Sequence, residues 1–342
     1  MSTSGGDGAL ASGVVGGAAS APPLARAATW RVLAAAGEWC SAQLAAQLPW
    51  AAQVTYTDRV THDSRLGGRW HLLGFTQRGR IHAHDGTHRE DEMAIASSSR
   101  GFVLVAADGA GSSAWSRVAA AAVCRDVVEC ARALWGRPDD KTPHVIADTV
   151  ARSVDRASLS LREAAERTGL SARDVRTTAL VAISVDDALV TLQVGDGAIV
   201  GVTRDGALRR LGVTDSGGYS GEVTAFVPDA SAEEIAMRVA VHALEELESV
   251  LVVTDGIEDP FYPFDRKGLE VVRQLYEGVE RPLDATLLQR PHGPVVGSAE
   301  ALERLAEWMA FERRGENDDR TLVGAFRLPP RAPSSAGASG SA

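Results

Sequence analysis

Short apolar runs rich in Val, Ile and Leu alternate with turn residues through most of the chain: Trp70–Phe75, Glu92–Ala96, Phe102–Ala107, Ala179–Val185, Leu189–Val194, Ile199–Val202, Glu222–Phe226, Met237–His242, Val250–Val253 and Thr321–Phe326. Runs of this length, bounded by Gly, Asp and Ser, read as strands. A 3.6-residue period takes over where Trp115, Val118, Ala119, Ala122, Val123, Val127 and Leu134 recur, with Ser112 or Ser113 as the expected cap and Gly136 as the stop. A second helix is predicted over Val145–Arg167, stopped by Gly169, and two more over Arg266–Tyr276 and Ala299–Phe311. Strands and helices come in separate runs, unlike the regular alternation of a parallel-sheet domain. The pattern therefore predicts an α+β layered fold with largely antiparallel sheets.

The ends of the chain break this pattern. Residues 1–23 and 328–342 are dominated by Gly, Ala, Ser and Pro, bury too little to offset their ordering entropy, and are expected to be disordered tails. Helical spacing of Trp30, Leu33, Ala34, Trp39, Leu44 and Leu48 marks 24–70 as an N-terminal helical extension, leaving 71–327 as the main domain. With 342 residues, 45% of them hydrophobic, there is enough chain for a full core in one domain. A net charge of −10 disfavours a nucleic-acid partner. No apolar run is long enough to cross a membrane, and no export signal stands at the N-terminus, so a cytoplasmic address with no membrane partner is expected. Cys40, Cys124 and Cys130 read as reduced core thiols. A monomer is expected.

Two of the apolar runs deliver an aspartate to a glycine turn: Val103-Leu-Val-Ala-Ala-Asp-Gly-Ala-Gly111 and Leu251-Val-Val-Thr-Asp-Gly-Ile257. Asp-Gly is also the commonest hairpin signal, and Arg204-Asp-Gly-Ala207, between two short strands, needs no other explanation. Asp108 and Asp255 differ in their company. Glu90-Asp91 precedes a strand and Asp318-Asp319 precedes the last one, so four acidic clusters lie at strand ends. Converging carboxylates repel unless cations intervene, and hard divalent ions such as Mg²⁺ or Mn²⁺ take such oxygen ligands while keeping several waters. Gly109 and Gly256 would let the backbone approach closely, and the Gly109 carbonyl is a further candidate ligand. On spacing alone, acidic residues beside turns also fit ordinary solvated caps.

At this point the sequence resembles the metal-dependent serine/threonine protein phosphatases of the type 2C (PPM) family, in particular their compact bacterial branch. The motifs run in the family's order from about Gly74 to Arg327: Gly79-Arg-Ile-His82 with Gly86 and Glu90-Asp91; Asp108-Gly-Ala-Gly111; Thr177-Thr-Ala-Leu180; Val194-Gly-Asp-Gly197; Thr254-Asp-Gly256; and Asp318-Asp-Arg-Thr321. The resemblance implies a four-layer α-β-β-α sandwich with two mainly antiparallel sheets flanked by helices. It implies two Mn²⁺ or Mg²⁺ ions, with Asp108 bridging them, Asp255 and Asp318 completing one, and Glu90, Asp91 and the Gly109 carbonyl serving the other. Asp91, Asp108, Asp255 and Asp318 thereby become the expected catalytic set. Asp196 and Asp259 match positions of a third ion in some relatives, with a plain structural role as the competing reading. The implied reaction is hydrolysis of phosphoserine or phosphothreonine by attack of a water activated at the dinuclear metal site. The implied partners are a phosphoprotein substrate and an opposing kinase.

The chain departs from the family in places. Ala110 stands where eukaryotic relatives carry a histidine proposed as the acid, so His82, His84 or His88, expected in the loop before Asp91, are alternative proton donors. No certain phosphate-gripping arginine is present; Arg89 and Arg78 are candidates by proximity. Asp319 replaces a common asparagine, and Arg176 a common glycine. Gly217–Glu222 reads as a loop comparable to a substrate flap. Trp115, Trp135 and Trp308 read as core anchors. A non-catalytic phosphatase-like sensor or adaptor, and a phosphatase of small phosphoesters, are the competing functions.

Overall fold

A computed structural model describes residues 39–54, 56–136, 142–213, 225–278, 293–313 and 315–328. In chain order the elements are α1 (Ala42–Gln47), β1 (Arg59–Leu66), β2 (Trp70–Gln77), α2 (Arg80–Asp85), β3 (Glu92–Ser98), β4 (Gly101–Ala107), α3 (Ser116–Trp135), α4 (Pro143–Thr168), β5 (Ala179–Val185), β6 (Ala188–Val194), β7 (Ala198–Thr203), β8 (Leu208–Arg210), α5 (Ala232–Met237), β9 (Val239–Ala243), β10 (Leu247–Val253), α6 (Asp255–Glu258), α7 (Phe264–Glu277), α8 (Ala301–Met309) and β11 (Arg320–Arg327). One sheet has the order β1-β2-β11-β10-β7-β8 and the other β3-β4-β5-β6-β9. Every pairing is antiparallel.

Three apolar layers explain the continuous runs. Side chains of successive strand residues point to opposite faces, and here both faces of the central strands are covered. Phe102, Leu104 and Ala106 of β4 join Val250 and Val252 of β10 between the sheets. The alternate residues of β4, Val103 and Val105, pack under α3 and α4 with Val118, Val123 and Val154. Leu251 and Val253 of β10 pack under α7 and α8 with Leu275, Leu305 and Trp308. The result is the expected α-β-β-α sandwich, with helices on both outer faces.

Several expectations change. Within the segment read as a helical extension, α1 is helical and packs on α4 through Leu44, but Arg59–Leu66 is a strand that pairs residue for residue with β2. It is an edge strand whose residues alternate exposed and half-buried; Val60 and Leu66 are the only apolar residues in it, which is why hydropathy missed it. Met237–His242 is not one strand. Ser231 caps α5 in a reciprocal box with Glu234, the helix runs to Met237, and β9 begins at Val239. Of the Glu222–Phe226 run, Glu222–Thr224 and the whole Gly217–Glu222 loop lie outside the described residues; Ala225 and Phe226 are not strand, and Val227 bridges to Thr177. Helix α3 begins at Ser116 rather than after Ser112 or Ser113, because the Ser113 hydroxyl donates to the Arg173 carbonyl at 2.6 Å. Trp135 and Trp308 are buried as expected, while Trp115 is half-buried beneath Arg117.

Candidate metal centre

Register places the acidic clusters. Glu92 pairs with Ala107, so Asp91 and Asp108 flank one end of the β3–β4 ladder. Ala179 pairs with Val194, which brings Thr177-Thr178 and Asp196 to the same end. In the other sheet Val253 pairs with both Leu322 and Ala198, so Asp255, Asp318-Asp319 and Asp196 gather there too. Antiparallel pairing turns a separation of 228 residues, between Asp91 and Asp319, into a direct contact at one edge.

Hydrogen bonds then fix each residue. The Asp108 N–H donates to the Thr178 hydroxyl at 2.9 Å, and its carbonyl accepts from the Thr177 hydroxyl at 2.7 Å and the Thr178 N–H at 2.8 Å. Asp91 is buried, and its Oδ2 accepts from the hydroxyls of Thr254 at 2.9 Å and Thr321 at 2.6 Å. Its Oδ1 has no donor, and its carboxyl lies within reach of that of Asp108. Glu90 Oε2 is likewise buried without a hydrogen-bond partner, with the Ser116 hydroxyl beside its carboxyl. Gly256 has to be glycine: a Cβ there would sit 1.8 Å from the Asp319 carbonyl oxygen. At Gly109 it would sit 2.8 Å from the Glu90 carbonyl oxygen.

The electrostatics show crowding. Burial and then the charge of Asp255 push the Asp108 carboxyl well above its ordinary range, and burial and then Asp318 do the same to Asp255. Burial raises Asp91 and Glu90 as well, Glu90 to about 7. Asp318, exposed at the rim as a residue, has its carboxyl raised by partial desolvation and by the charge of Asp319. Asp196 and Asp259 are both raised by burial and both feel Asp318. Among the described residues, no arginine or lysine forms an ion pair with Asp91, Asp108, Asp255 or Asp318. Hard oxygen donors with two orphaned, buried atoms among them are what a divalent cation fits. A further group, His82, Asp318 and Asp319, has ligand atoms within 4.8 Å of one another.

The proton and phosphate candidates separate. His82 and His84 lie on α2 rather than in a loop. Burial pulls the His82 imidazole down, but its hydrogen bond to Asp319 and the nearby Glu90 and Asp318 charges outweigh that and hold it at about 9. His84 is exposed. His88 is buried edge-on against Tyr56 and is pulled down to about 4 by burial and by Arg117 and Arg78, which leaves it neutral. Arg89 is buried and paired with Glu92 at 3.1 Å, and Arg78 is engaged by Asp58 and the Thr87 carbonyl, so both arginines have partners away from the carboxylate cluster. Asp319, which the sequence places in the Asp318-Asp319 cluster without a role of its own, joins Gly79, His82, Glu90 and Asp91.

Comparison with known proteins agrees with the geometry. The protein phosphatase 2C family model matches residues 78–289, more than half of the chain. Curated proteins gave no sequence match. Among solved structures, the chain is similar to a serine-threonine phosphatase 2C from Toxoplasma gondii, at 15% identity and a TM-score of 0.53, covering 79% of this chain and 99% of that one. It is similar to PppA, a regulatory component of the T6SS in Pseudomonas aeruginosa, at 15% identity and a TM-score of 0.52, covering 78% and 100%. A bacterial serine phosphatase matches at 14% identity and a TM-score of 0.50, covering 76% and 99%. At these identities the structures attest the fold; the matched span attests membership, and the chain belongs to the protein phosphatase 2C family, which are metal-dependent serine/threonine phosphatases.

Proposed function

We propose that this protein hydrolyses phosphoserine or phosphothreonine in a protein substrate, with two Mn²⁺ or Mg²⁺ ions held by Glu90, Asp91, Asp108, Asp255, Asp318 and the Gly109 carbonyl. Asp196 and Asp259 are suited to a third. The observation that carries this reading is the gathering of unpaired carboxylates at one end of the sandwich, with Asp91 Oδ1 and Glu90 Oε2 buried and without donors. When bound, such ions supply a water of lowered pKa and polarise the phosphoryl oxygens.

The chain's own residues prepare the site. Thr254 and Thr321 occupy one oxygen of Asp91 and leave the other without a donor. Thr177 and Thr178 clamp the Asp108 backbone, so its carboxylate is presented without a loop having to order. The rim is open, because Asp318 is exposed while Asp91 is buried, which gives a phosphoester on a protein surface access to the cluster. No thiol nucleophile competes: Cys124 is buried in α3 and burial pushes its pKa far up, so it stays protonated. With both ions bound, the site would suit direct attack by water, with no phospho-enzyme.

The test is turnover of a phosphopeptide and of an aryl phosphate with Mn²⁺, with Mg²⁺ and with chelator, in wild type and Asp108→Ala. Metal-dependent turnover lost in the variant supports catalysis; metal binding without turnover identifies an adaptor; turnover of the small ester alone identifies a small-molecule phosphatase.

A further inference from the structure

Asp319 makes the densest set of contacts at the site, and all of its side-chain partners are donors. It is 1% exposed. Oδ1 accepts from the Gly79 N–H at 2.5 Å and from His82 Nδ1 at 2.9 Å. Oδ2 accepts from the Glu90 N–H at 2.5 Å and the Asp91 N–H at 3.2 Å. Its main chain reaches the other half of the site. The Asp319 N–H donates to Asp318 Oδ1 at 2.8 Å, and its carbonyl lies where only glycine fits at Gly256, beside Asp255. Gly79 closes the same joint, since a Cβ there would come within 2.5 Å of the Asp318 backbone.

We propose that Asp319 is the positioning residue of the metal centre: a carboxylate that binds no ion itself but locks the Glu90-Asp91 turn and the start of α2 onto the Asp318 loop. This rests on the metal reading above. With two N–H donors on each oxygen, its acceptor capacity is spent within the protein, so the grouping of His82, Asp318 and Asp319 is a hydrogen-bonded joint rather than an ion site. Relatives commonly carry asparagine at this position; in this chain, where the His82 ring joins three backbone amides on the side chain, the count favours a carboxylate. An asparagine of equal size would turn its NH₂ toward two donors whichever way it flipped. On the Oδ2 side it would orphan the Glu90 and Asp91 amides; on the Oδ1 side it would orphan the Gly79 amide even if His82 gave up its Nδ1 proton.

The experiment is calorimetric titration of Mn²⁺ into the metal-free full-length chain, wild type and Asp319→Asn, with amide hydrogen exchange of the metal-free wild type. Asp319→Asn is expected to bind the same number of ions as wild type, with affinity lower by about tenfold or more, as for loss of a group that orients metal ligands. Its turnover of an aryl phosphate should return as Mn²⁺ is raised. The amides of Gly79, Glu90 and Asp91 should exchange slowly in the wild type without metal. Unchanged affinity in Asp319→Asn overturns the proposal, and so does the loss of one ion from the stoichiometry, which would make Asp319 a ligand. Fast exchange at those three amides overturns it even if the variant does not fold. A wild type that takes up no Mn²⁺ sinks the metal reading itself, a result distinct from equal binding by the two proteins.

Discussion

At the end of the sandwich away from the site, Asp186 turns the chain between β5 and β6 with Arg100 as its ion partner at 3.0 Å. Glu246 takes Arg209 there at 2.8 Å, and the exposed Asp205 accepts from the Thr203 hydroxyl in the β7–β8 hairpin. At the other end Asp91, Asp108, Asp255 and Asp318 meet one another, with no arginine or lysine ion pair among the described residues. Both ends use acidic residues at turns, and the dipeptide Asp-Gly occurs at both, as Asp205-Gly206 at one and as Asp108-Gly109 and Asp255-Gly256 at the other. The outcome differs because one end carries its counter-cations as side chains. The other has the His82 imidazole at its rim but no arginine or lysine for Asp91, Asp108, Asp255 or Asp318, which is the charge pattern that the proposed ions would balance. Hydrogen bonding follows the same division. The Asp205 carboxyl is held below its usual range by the Thr203 hydroxyl, whereas burial and like charge raise Asp108 and Asp255.

The sharpest break between the ends is expected in turnover. Asp108→Ala should lower metal-dependent phosphoester hydrolysis by about a thousandfold or more, the equivalent of several kcal/mol of lost charge stabilisation. Asp205→Ala, in a steady-state assay under the same conditions, should match wild type. Equal losses in both would erase the comparison.

Stability should divide the glycines of one Asp-Gly pair from each end. Gly256→Ala drives a methyl into the Asp319 carbonyl and is expected to cost about 3 kcal/mol in chemical denaturation. Gly206→Ala meets open space but a φ of +85°, so a cost of about 1 kcal/mol is expected.

Metal should act at one end only. Mn²⁺ at about a hundred times its dissociation constant should stabilise wild type by about 2.7 kcal/mol in thermal melts, reversed by chelator, and should fail to stabilise Asp255→Ala to that extent. Smallest of all, Arg209→Ala removes a solvent-exposed partner of Glu246 and is expected to shift stability by less than about 1 kcal/mol, with the Mn²⁺ response intact.

Much of the candidate site is legible in the sequence. Asp108 and Asp255 stood out because long apolar runs ended on them, and burial on both strand faces makes such runs unambiguous. The family's order of motifs then supplied the partners. What escaped were contributions without a local signature. Strand β1 is polar because one edge and one face of it meet solvent, so its pairing with β2 depends on the neighbour rather than on its own hydropathy. His82 and His88 look alike in sequence, yet one is bonded to a carboxylate across 237 positions and the other is packed on Tyr56. Arg89 looked like a phosphate ligand by its place beside Glu90, but consecutive residues of an extended chain point to opposite sides, and its guanidinium goes to Glu92.

The sequence by itself determined which residue types lie at the strand ends and that the strands between them are buried, because apolar burial and turn chemistry are local properties that a few neighbouring residues already specify. Only the tertiary structure decided that Asp319 joins the two halves of the site and that the acidic turns at one end lack the arginines found at the other. Antiparallel register is set by the packing of both sheets at once, and it is register that brings Gly79, Glu90 and Asp319 within hydrogen-bonding distance.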